Sequence, residues 1–73
     1  MNVKDLVVGN KYKLSDYGWD VVKPNTKETS RAATEGFTLL GVLPGEMIPG
    51  VQIVIIDGPL SKFWIDNMSI EEA

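Results

Sequence analysis

Hydrophobic and polar positions alternate with period two in several short runs along this chain, and no long run follows the helical period. The strongest run is Val51-Gln52-Ile53-Val54-Ile55-Ile56-Asp57, closed by the turn signal Asp57-Gly58-Pro59. Consecutive Val and Ile side chains lose rotamer freedom in a helix and pack well on a pleated surface, so this segment reads as a strand. Pleating sends Val51, Ile53 and Ile55 to one face and Gln52, Val54 and Ile56 to the other. Both faces are apolar toward Asp57, which predicts a central strand covered on both sides.

The remaining runs fall into place around it. Leu6 and Val8 are expected to point to the core before a turn at Gly9-Asn10, and Lys11-Tyr12-Lys13-Leu14-Ser15 alternates with Tyr12 and Leu14 inward. Ser15-Asp16-Tyr17-Gly18 reads as a loop or bulge, followed by a brief extended piece from Trp19 to Lys23 that Pro24 stops. The apolar pattern then disappears from Asn25 to Gly36. Asn25 is a candidate N-cap with Glu28 completing a capping box and Gly36 ending the turn, so this connection is either a short helix of one or two loose turns or a mobile loop.

Phe37-Thr38-Leu39-Leu40-Gly41-Val42-Leu43 is the second strong strand, with a bulge or bend expected at Gly41. Pro44-Gly45-Glu46-Met47-Ile48-Pro49-Gly50 forms a wide hairpin loop into the Val51 strand. A tighter hairpin leads to Lys62-Phe63-Trp64-Ile65-Asp66, where Phe63 and Ile65 share one face and Lys62, Trp64 and Asp66 the other. Asn67 to Ala73 reads as a short turn or 3₁₀ piece in which Met68 or Ile70 plugs the core, ending in an acidic tail that frays.

About five short strands separated by turn signals in residues 1–73 predict a single, mainly β domain, a partly open five-stranded barrel. The run Asp5-Leu6-x-x-Gly9-x-x-Tyr12-x-Leu14, a long second connection, three meander strands and a final short turn resemble the layout of SH3-like small barrels. The resemblance spans nearly the whole chain and implies that fold. It does not extend to the peptide-binding signalling family, whose Ala-Leu-Tyr-Asp-Tyr segment and paired tryptophans are absent, so recognition of proline-rich peptides is not implied.

Composition narrows the chemistry. With 73 residues, no Cys and no His, the chain has no disulfide, no thiolate site, no imidazole base and lacks the commonest zinc ligand, and no metal site and no cofactor are expected. The N-terminal Met1-Asn2-Val3-Lys4-Asp5 lacks the basic start of a signal peptide, and the apolar runs are too short to span a membrane; a cytoplasmic protein is expected. Serines 15, 30, 61 and 69 have no histidine to activate them, and no glycine-rich phosphate motif is present. Asp57 and Asp66 end adjacent strands and could approach one another as a carboxylate pair, though turn chemistry and capping explain them better. No enzymatic activity is expected.

What remains is binding. Tyr17, Trp19 and Trp64 are aromatic anchors if exposed; otherwise Trp19 closes the barrel mouth and Trp64 packs under the 25–36 connection. Met47 and Ile48, on the projecting loop, are an adaptable contact point, with folding back over the core the preferred arrangement. The expectation is a non-catalytic protein-interaction module acting on a larger protein as a small inhibitor or adaptor, in the manner of a phage-type accessory protein. One alternative is a nucleic-acid-binding barrel using Lys11, Lys13, Lys23, Lys27 and Arg31: residues 1–31 hold six bases against four acids, whereas residues 32–73 hold one base against six acids, for a net charge of −3. That asymmetry vanishes if the two halves interleave in the fold. A structural subunit of a homo-oligomer is the second alternative.

Overall fold

The alternating segment Lys11–Leu14 forms β1, with Tyr12 and Leu14 buried and Lys11 exposed, as its pattern predicts. Around it the computed structural model, which describes residues 1–59 and 61–73, builds a five-stranded antiparallel sheet and two helices, so the fold is mostly β. The other strands are β2 (Phe37–Val42), β3 (Ile53–Asp57), β4 (Lys62–Asp66) and β5 (Ile70–Glu72), in the order β4-β3-β2-β1-β5. Helix α1 (Asp16–Val22) and helix α2 (Lys27–Glu35) fill the connection between β1 and β2. Short 3₁₀ turns cover Val3–Asp5 and Asn67–Ser69.

β3 lies inside the sheet between β2 and β4, as expected of the strongest strand. Its two faces are unequally covered. Val54 and Ile56 are buried with Phe37, Leu39, Ile65 and Ile70, while Ile53 and Ile55 on the opposite face are only partly covered. The rings of Phe37 and Phe63 meet edge to face at 5.3 Å across the core. The bulge predicted near Gly41 is present: the β2–β3 register shifts between Leu39 and Gly41, which pushes Leu40 outward.

Four expectations are corrected. Residues 16–22 are a helix, not a loop and an extended piece: Ser15 caps it by accepting a hydrogen bond from the Gly18 N–H at 3.1 Å, and Gly18 lets α1 approach the 3₁₀ turn closely, since a Cβ there would run into the Ser69 carbonyl. The second helix is capped by Thr26 rather than Asn25, the Thr29 N–H donating to Thr26 Oγ1 at 3.1 Å, which leaves Glu28 one position short of a capping box. It also has something to bury, because Ala33 is fully enclosed where α2 packs on β1. The acidic end is paired, not frayed: Ile70, Glu71 and Glu72 lie opposite Leu14, Lys13 and Tyr12 as β5, and Ile70 rather than Met68 plugs the core. Finally, Val8 is exposed; Leu6 alone of that pair packs against the core.

The chain passes from one edge strand, β4, to the other, β5, through Asn67–Ser69 alone. Three residues reach so far only if the sheet is curled until its edges approach at that end. The edges are not paired with each other, so the sheet stays open.

Candidate protein-interaction surface

The hairpin loop between β2 and β3 is ordered by its own residues. Met47 N–H donates to the Val51 carbonyl at 2.8 Å and Val51 N–H to the Ile48 carbonyl at 2.9 Å, which leaves Pro49-Gly50 at the tip, Gly50 having φ +83°. Pro followed by a positive-φ Gly is the residue choice of a type II turn. Glu46 Oε2 accepts from the Gly50 N–H at 3.1 Å and braces the tip. The loop does not fold over the core: Met47 and Ile48 are 68% and 62% exposed. With the core already filled by strand residues, they have no interior to enter and lie beside the half-covered face of β3.

Trp64 follows from strand alternation. Because Phe63 and Ile65 face inward, its indole is turned out, directly opposite Ile55 in the β3–β4 register, and is 68% exposed. Tyr17 comes from the first turn of α1 and is 57% exposed, with Val21 one turn further on the same helix face. These side chains, with Ile53 and the exposed Met68 of the second 3₁₀ turn, line one open apolar groove of about 730 Å³. Asp66 is its one charged lining residue among the described residues.

Four of the five residues singled out as partner anchors, Tyr17, Met47, Ile48 and Trp64, therefore share one groove. Trp19 does not belong to it: its indole is partly buried and packs against the core. Sequence reasoning missed Val21 and Met68, whose exposure depends on where α1 and the 3₁₀ turn sit.

It also missed the residue that holds this end of the molecule together. Asn67 is fully buried; its Oδ1 accepts from the Gln52 N–H at 2.8 Å, and its Nδ2 donates to the Met1 carbonyl at 2.7 Å and the Gly50 carbonyl at 3.2 Å. Beside it Ser69 Oγ, also buried, donates to Asp66 Oδ1 at 2.7 Å. A polar residue at a strand end looks like a cap in sequence; its long-range partners appear only in the fold.

The candidate nucleic-acid residues come from three elements. Lys11 and Lys13 lie on β1, Lys23 ends α1 in a left-handed conformation with φ 51°, and Lys27 and Arg31 lie on α2, where Arg31 approaches Glu35 at 3.8 Å. Lys13 faces Glu71 across the β1–β5 pair, so the basic start and acidic end of the chain do interleave. Asp57 and Asp66 are not a carboxylate pair: Asp57 is opposite Lys62 and Asp66 opposite Ile53, so antiparallel pairing sets them at opposite ends of the hairpin, about 13 Å apart along the strands. No helix among the described residues is long and apolar enough to cross a membrane.

No protein-family model, curated protein or solved structure matches this chain.

Proposed function

We propose that this chain is a non-catalytic protein-interaction module on an SH3-like small barrel, which acts in the cytoplasm as an inhibitor or adaptor of a larger protein. The observation that carries the reading is the convergence of exposed apolar side chains from α1, the β2–β3 loop, β4 and the second 3₁₀ turn on one groove. Contiguous exposed apolar surface lined by aromatic and methionine side chains is what protein recognition uses, and here the core is complete without it. In support of the barrel layout, β1 holds both β2 and β5, and a three-residue turn links the two edge strands.

The test is capture from a lysate by immobilised wild type, by an Ile48→Ala/Trp64→Ala variant and by a Lys11→Glu/Lys13→Glu variant, each shown to be folded by circular dichroism. A protein band held at high salt, lost with the groove variant and kept by the lysine variant supports the reading. Nucleic acid captured instead, lost at high salt and with the lysine variant, sinks it.

A further inference from the structure

Sheet order leaves two open edges, and they differ in kind. β5 is three residues long and exposes Glu71 and Glu72, the short charged edge that discourages further pairing. β4 has five residues with an exposed indole at its centre.

The hydrogen-bond pattern of β4 follows from its register. Gly58 N–H donates to the Ser61 carbonyl and Asn67 N–H to the Gln52 carbonyl, and both pairs lie in the same register as Val54 opposite Ile65 and Ile56 opposite Phe63. Hydrogen-bonded and non-hydrogen-bonded pairs alternate in an antiparallel ladder, so Phe63 and Ile65 bond to β3. Lys62 and Trp64 consequently turn both N–H and C=O toward the open edge, and Asp66 turns its N–H there.

We propose that a second copy of this chain pairs with this edge, β4 running antiparallel to its counterpart about a two-fold axis at Trp64. Trp64 then exchanges N–H···O bonds with Trp64 of the second copy. In that register Lys62 stands opposite Asp66 of the second copy, and Asp66 opposite its Lys62. These residues share the outer face with Trp64, so both opposite-charge pairs form side by side with the stacked indoles. Registers centred on Lys62 or on Asp66 set like charges opposite each other. The strand thus carries its own complement, which is what an isologous interface requires.

The inference rests on the groove being a protein-binding surface, because Trp64 belongs to both. Sedimentation equilibrium over rising concentration tests it: the mass moves from 8.0 kDa toward twice that value. Lys62→Glu, which leaves the groove lining untouched, weakens the association about tenfold by replacing two attractions with two repulsions. Mixing it with Asp66→Lys restores a heterodimer. Should Asp66→Lys not fold, amide exchange decides the matter: the Trp64 N–H is protected at high concentration and exchanges freely on dilution. A wild type that stays at 8.0 kDa throughout overturns the proposal, as does a dimer whose Trp64 amide exchange ignores concentration. A monomer that still captures a partner through Ile48 and Trp64 defeats the dimer and leaves the groove reading standing.

Discussion

Gly18 and Gly41 look alike in the sequence, each lying among apolar residues, but they answer to different constraints. At Gly18 a methyl group would meet backbone, the Ser69 carbonyl, which cannot rotate aside; at Gly41 a Cβ meets nothing within 4 Å, and the backbone needs no positive φ. Gly18→Ala therefore forces α1 off the 3₁₀ turn and lowers stability by about 3 kcal/mol. Gly41→Ala shifts it by no more than about 0.5 kcal/mol. Urea unfolding of the two variants reads both numbers, and equal effects would mean that α1 does not press on Ser69 as described. Asn67 poses a related question in polar terms. Asn67→Ala strands the Gln52 N–H and the Met1 and Gly50 carbonyls at once, so a loss of about 3 kcal/mol is expected, large against the 5–15 kcal/mol that typically holds a domain together.

Elements became legible in proportion to how local their causes are. β1, β3 and β4 declare themselves because alternation of core and solvent positions is a property of the strand itself, and Tyr12, Val54, Ile56 and Ile65 all took the faces that alternation assigned. α1 was illegible because its helical cause lies elsewhere: a glycine and two β-branched valines in seven residues argue against a helix, and what holds it is the Ser15 cap and its contact with the 3₁₀ turn. β5 hid for the same reason, since Ile70-Glu71-Glu72 becomes a strand only by pairing with β1, more than fifty residues away in sequence. The two helix caps turn this contrast into a measurement. Ser15 Oγ accepts from Gly18 N–H and donates to the Met68 carbonyl at 3.0 Å, tying helix to turn, whereas Thr26 serves α2 alone. Ser15→Ala is expected to cost about 2 kcal/mol and to lower the global midpoint. Thr26→Ala costs about 1 kcal/mol at most and speeds amide exchange only within α2. If the two variants lose equal global stability, α2 is as integral to the fold as α1.

At the scale of the whole molecule, the two tryptophans separate what holds the fold from what the surface offers. The aromatic types suited to recognition could be picked from the sequence, but the place of Trp19 depended on α1, an element that sequence did not reveal, and that helix took it to the core; Trp64, placed by strand alternation, went to the groove. Trp19→Ala removes a large side chain packed against the core and is expected to cost about 3 kcal/mol. Trp64→Ala, opposite Ile55 on the outer face, is expected to cost under about 1 kcal/mol, because more than half of the residue already faces solvent. Capture of a protein partner should run the other way, lost with Trp64→Ala and retained by whatever fraction of Trp19→Ala stays folded. Such a crossing of the two rank orders follows only if core and groove are distinct surfaces. If Trp64→Ala unfolds the chain as readily as Trp19→Ala does, the outer face of β3 and β4 is a second core layer, and the groove is part of what stabilises the protein rather than what it presents.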